Sequence, residues 1–168
     1  MCRPCFREAN LTDDEKFERK VFDEIDSIIE PFKSYRDALT KLSNKPEGYR
    51  LCFAFHYVNA DILNGGVSQL YGNSTWCLIL DAISAAKTAG YDDVSMTPHE
   101  IVYYYHLKGR SKLKRRIQDG FFKGFSTDWN KSIGEIDDDY FKLENSTENV
   151  ISVLCSKRKH LFDSESAG

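Results

Sequence analysis

Seven carboxylates lie between Asp128 and Glu148 (Asp128, Glu135, Asp137, Asp138, Asp139, Glu144 and Glu148), and only Lys131 and Lys142 oppose them. Carboxylates in excess can pair with the basic side chains of a partner, which makes Glu135, Asp137, Asp138, Asp139 and Glu144 the candidate partner-binding residues. The plainer reading is that Asp137 caps a short helix and the others keep the surface soluble. The reverse excess comes just before it. Lys108, Arg110, Lys112, Lys114, Arg115, Arg116 and Lys123 stand against the single acid Asp119. On a helix Lys112, Arg115 and Arg116 share a face, so Lys112, Lys114, Arg115 and Arg116 are the candidates for holding the phosphates of a nucleic acid. Here the plainer reading is a solvated face paired with the protein's own acids.

Other chemistry lacks its parts. Cys2 and Cys5 have the C-x2-C spacing of half a zinc site, but no second pair of ligands follows. His56, His99, His106 and His160 are scattered, none in a helix motif with a glutamate base. No nucleophile elbow, phosphate-cradling loop or dinucleotide fingerprint occurs, so no catalytic residue, metal or cofactor is expected. The net charge of −3 over 168 residues is too mild to select a polyanion or to imitate one throughout. No apolar run is long enough for a membrane span, and residues 1–10 carry no apolar signal core. An odd number of cysteines, five, with Cys52, Cys77 and Cys155 among apolar neighbours, fits reduced core thiols in a cytoplasmic protein.

The elements that must position these residues read as helices. Thr12 and Glu15 have capping-box spacing, and Phe17, Val21, Ile25, Ile28 and Phe32 form a stripe at helical period until Pro31 breaks it. A second helix is expected over residues 32–42, followed by a loop over 43–48. Residues 49–63 fit a helix through Leu51, Phe55, Val58 and Ile62, or a strand through Leu51, Phe53, Phe55 and Tyr57, with length favouring the helix. Asn64, Gly65 and Gly66 should end it, with a short helical turn after them. Ser74 or Thr75 can cap a helix that runs to Ala89 and stops at Gly90. Thr97, Pro98 and Glu100 make the strongest local helix start, and helices are expected over 98–108, 111–122, briefly 137–142, and 147–161. One helical domain over 12–162 follows, between flexible ends at 1–11 and 163–168.

The run Asn64-Gly65-Gly66-Val67-Ser68-Gln69-Leu70-Tyr71-Gly72-Asn73 resembles the N-G-G-aromatic-x-Q-aromatic-aromatic-x-N motif of the DMP19-like family, named after a bacterial DNA-mimic protein. The stretch Ile136-Asp137-Asp138-Asp139-Tyr140-Phe141-Lys142-Leu143 is similar to the acidic and aromatic stretch before that family's last helix. Val67 and Leu70 stand where the family usually has phenylalanine. The resemblance spans about residues 46–161. It implies a mainly α fold, a single compact multi-helix domain that settles residues 49–63 as helix, and a structural role for Asn64, Gly65, Gly66, Gln69 and Asn73. Its glycines would allow a tight turn, and Asn64, Gln69 and Asn73 would satisfy buried backbone groups. It also implies a non-enzymatic protein whose acidic surface binds a basic protein partner, such as a DNA-binding regulator or a toxin, and it allows a homodimer. Imitating DNA further requires exposed, unpaired acids that continue through Asp23, Asp26 and Glu30 into a strip with charges about 6 to 7 Å apart. Lys16, Arg19 and Lys20 are interleaved with the acids of the first helix and interrupt such a strip.

Overall fold

A computed structural model describes residues 11–95 and 127–163, which form helices and the turns between them, with no strand among the described residues. Helix α1 (Asp13–Ile29) starts at the expected capping box. Thr12 Oγ1 accepts the Glu15 N–H at 3.3 Å, and the Glu15 carboxylate accepts the Thr12 N–H at 2.7 Å. Pro31 ends the helix as expected, because its ring crowds the α conformation of Glu30, which turns to φ −67° and ψ 138°. The carbonyls left over at that end are taken by Lys41, whose ammonium donates to Ile29 O at 2.8 Å, Pro31 O at 3.1 Å and Glu30 O at 3.3 Å.

Lys41 belongs to α2 (Tyr35–Leu42), which starts later than the expected residue 32. Ser34 is the reason: its Oγ accepts the Asp37 N–H at 3.2 Å and fixes the first turn there. Phe32 is thereby left in the connector, 47% exposed, instead of completing the stripe of α1. Val21, Ile25 and Ile29 carry the buried face of α1, with Phe17 and Ile28 at its margin.

The ambiguous segment is helical and longer than expected, α3 (Glu47–Gly72). Leu51, Cys52, Phe53, Ala54 and Phe55 are each no more than 1% exposed, so over these residues the helix is enclosed on every side. That explains why both periodicities fitted: a helix that is apolar all round carries no single stripe. After it, a 3-10 turn (Thr75–Leu78) leads into α4 (Ile79–Ala89). Neither expected cap acts as one, for Ser74 sits at φ 66° without a capping bond and the Thr75 hydroxyl is engaged elsewhere. Gly90 does end α4, in the left-handed conformation at φ 89°. Ala82, Ala85 and Ala86 are buried and let α4 approach α3 closely.

Helix α5 (Thr127–Phe141) replaces the brief helix expected over 137–142. Trp129, Ile133, Ile136 and Tyr140 recur at helical period, a signal the local charge density of the segment had hidden. Helix α6 (Glu144–Lys157) starts three residues before the expected 147. It ends where Arg158 leaves helical geometry and its Nε donates to Thr88 O at 3.0 Å, and a 3-10 turn (Lys159–Phe162) follows. Phe162 closes the core, its ring edge-on to Phe17 and Tyr49 at 5.4 Å each. The architecture is therefore α3 at the centre, with α1, α4, α5 and α6 packed on it. The Thr97-Pro98-Glu100 start, the helices expected over 98–108 and 111–122, Cys2 and Cys5, and the ends at 1–10 and 164–168 lie outside the described residues.

Candidate functional site

Helix α3 is bent by its two adjacent glycines. The backbone leaves helical values at Gly65 (φ −163°, ψ 20°) and Gly66 (φ 68°, ψ −165°) and resumes them at Val67. Gly66 needs a conformation that side chains disfavour, and a Cβ there would land on the carboxylate of Asp137. The break deprives the next N–H groups of their partners one turn back, and Asp137 Oδ1 accepts the Val67 N–H at 2.8 Å. A helix restart within α3 is thus capped by a side chain from α5, 70 residues away.

Asp137 is half-buried, and loss of solvent pushes its carboxyl above the ordinary value. The Val67 N–H pulls it back and neighbouring Asp138 adds to the rise. Of the five candidate acids, Asp137 therefore faces the fold rather than a partner, because the interior N–H is its partner.

The polar residues of the glycine motif have a second destination, one that sequence reasoning missed. Asp61 is 7% exposed, and its Oδ1 accepts Asn73 Nδ2 at 2.8 Å and Gln69 Nε2 at 3.4 Å. Its Oδ2 meets the Thr75 hydroxyl, which also lies 3.1 Å from Leu70 O. Gln69 and Asn73 satisfy a buried carboxylate where buried backbone groups were expected, while Asn64 is exposed. A signal existed: Asp61 follows Val58 by three residues and precedes Ile62, on the buried side of the helix, and an acid there must be satisfied.

The remaining acids face outward. Glu135, Asp138, Asp139 and Glu144 are exposed, and Asp139 is paired with Lys142 at 2.7 Å. Glu135, Asp138 and Glu144 make no ion pair with a described residue. Among them Phe141 is 42% exposed. The same helix is anchored from its other side by Ile136 and by Tyr140, whose hydroxyl donates to Asn59 Oδ1 at 2.9 Å in a fully buried position.

On α1 and at its C-cap the expected Asp23, Asp26 and Glu30 are exposed, while other acids of the helix are engaged within the fold. Asp13 pairs with Lys16 at 3.3 Å, Asp14 with Lys159 at 2.9 Å, and Glu24 accepts the Tyr49 hydroxyl at 2.7 Å. The basic candidates Lys112, Lys114, Arg115 and Arg116 lie outside the described residues, as do His99 and His106. His56 is edge-on to Phe22 and Tyr57 at 5.2 Å each, and His160 is exposed. Among the described residues no three His, Cys, Asp or Glu are placed to hold a metal ion, and no helix is long and apolar enough to cross a membrane. Cys52 and Cys155 are buried free thiols, and each other's proximity together with burial pushes Cys52 strongly up.

A family model described as DMP19-like protein matches residues 43–158, from the loop before α3 through the end of α6. No curated protein and no solved structure matches the chain.

Proposed function

The chain belongs to the DMP19-like family, and from that premise we propose that it acts by binding a basic protein partner through the acidic corner of α5 and α6, without catalysis. The observation that carries this reading is Phe141, 42% exposed, with Asp138 three residues before it and Glu144 three residues after. Glu135 stands one further turn back along α5. An aromatic ring left in water among carboxylates that no described residue pairs is the composition of an interface core with a charged rim. The ring supplies burial when a partner docks, and the carboxylates steer basic partners and reject acidic ones. A DNA-binding regulator or a toxin has the required surface. The patch is short, since Asp137 and Asp139 are engaged within the fold, so it suits a local contact better than a copy of two phosphate rows.

A photo-crosslinking amino acid in place of Phe141 tests it in cells that make the protein. The expected adduct contains a basic protein and disappears when Glu135, Asp138 and Glu144 are all changed to lysine. An adduct indifferent to those changes, or none, defeats the reading. Titration with duplex and single-stranded oligonucleotides supplies the other arm. Tight binding that weakens steeply with salt and is abolished by Arg115→Glu with Arg116→Glu would move the function to nucleic acid.

A further inference from the structure

A second surface, independent of the acidic corner, lies where the start of α2 faces the turn after α3. A cleft of about 470 Å3 opens there, lined by Phe32, Lys33, Arg36, Asn73, Ser74 and Trp76 among others. Its volume is that of a ligand site rather than a surface dimple. We propose that this cleft binds a short acidic peptide segment of a partner protein, one that carries a carboxylate beside an apolar side chain.

Charge comes first. Lys33 and Arg36 both line the cleft, neither is ion-paired to a described residue, and no acid is among its described lining residues. Other described arginines are engaged: Arg50 pairs with Glu47 and Asp81, and Arg158 holds Thr88 O. Arg36 instead lies over the Trp76 ring, its guanidinium carbon 5.5 Å from the centroid. That contact leaves the guanidinium N–H groups without a hydrogen bond to a described residue, and a guanidinium receives a carboxylate through two parallel bonds.

The apolar half of the site is Phe32, 47% exposed and held edge-on to Tyr35 at 5.3 Å. The opposite wall is rigid. Asn73 and Thr75 are both bonded to Asp61, and Ser74 between them is held at φ 66°, a conformation a non-glycine residue keeps only when its surroundings dictate it. The exposed Phe32 ring and the Arg36 guanidinium together match an apolar side chain and an adjacent carboxylate.

Selection of a displayed library of random heptapeptides on the full chain tests this. Enrichment of sequences with Asp or Glu next to an aromatic or aliphatic residue is expected. The selected peptide should lose about tenfold or more in affinity on Arg36→Gln, and similarly on Phe32→Ser, the loss of a desolvated charge pair or anchor. Both positions are exposed, and unchanged circular dichroism and melting temperature would establish that the variants are folded. Asp138→Asn, on the other surface, should leave peptide affinity unchanged, so this result stands or falls apart from the acidic corner. The proposal is overturned by no enrichment, by enrichment without acids, or by an acidic peptide insensitive to Arg36→Gln. Binding of a mononucleotide or a single-stranded oligonucleotide that Arg36→Gln abolishes would overturn it too.

Discussion

The glycine junction of α3 and the corner between α5 and α6 are both organised by carboxylates, and the two use them in opposite ways. At the junction Asp61 and Asp137 are drawn inward, and each is matched to donors that would otherwise be orphaned in the interior. At the corner Glu135, Asp138 and Glu144 project into water with no partner in the described fold. Asp137 and Asp138 are neighbours in sequence and belong to different regimes. A helix turns by about 100° per residue, so one step carries a side chain from the packed face to the solvent face. Charge density along a sequence is therefore a poor guide to charge density on a surface.

The comparison can be broken most directly at Gly66. Gly66→Val puts a β-branched residue at φ 68° and its Cβ against Asp137, so a loss of about 4 kcal/mol is expected in denaturant unfolding. Gly90→Val is the matched control, since φ 89° there is accompanied by open space, and about 1 to 2 kcal/mol should be lost. Equal losses at the two sites would mean that conformation alone matters and the Asp137 contact contributes nothing. Asp61→Ala comes next, at about 3 kcal/mol, because Asn73, Gln69 and Thr75 would all lose an acceptor. A loss under 1 kcal/mol would contradict the idea that this cluster anchors the turn after α3.

Asp137→Ala should cost about 1 to 2 kcal/mol, the usual worth of a helix cap with a buried donor left behind. Its pH dependence sharpens the point. Burial raises the folded-state carboxyl above 3.8, so the folded state holds the proton more tightly than the unfolded chain. The stability attributable to this group is therefore full below 3.8 and declines as pH rises through the raised value. Asn keeps an acceptor and does not titrate. The stability of the native protein relative to Asp137→Asn should accordingly fall with rising pH across that window, and a rise instead would reverse the assignment. The smallest effects belong to the corner. Glu135→Gln, Asp138→Asn and Glu144→Gln should each stay within about 0.5 kcal/mol in stability while weakening partner capture. A stability loss above about 1 kcal/mol at any of them would show that it, too, serves the interior.

Local signals were legible in the sequence because their physics is local. The Thr12 capping box, the break at Pro31 and the stop at Gly90 each follow from the conformational preferences of one or two residues. The glycine motif reads as a turn, and residues 49–63 are helical, as the family likeness implies. What could not be read was which distant group would complete each turn. Asp137 looked like a local cap because nothing in its neighbourhood reveals that Val67 sits across from it. Asp61 is hard to read because one acid in an apolar stripe resembles a helix-surface residue until its three donors converge. Phe32 was assigned to the stripe of α1 because its spacing fitted, and Ser34 decided otherwise by starting a new helix.

The bond between Val67 and Asp137 has a consequence for the order of events as the chain is made. The ribosome releases the amino end first, so Val67 emerges 70 residues before the carboxylate that satisfies its amide. Until then the second segment of α3 must share its leading N–H with water, while the first segment already has its full complement of turns. Closing so long a loop is entropically expensive and slow relative to forming local helix. The helix at the centre of the molecule is therefore completed in two parts, one up to Asn64 that needs only its own turns and one whose first amide depends on α5.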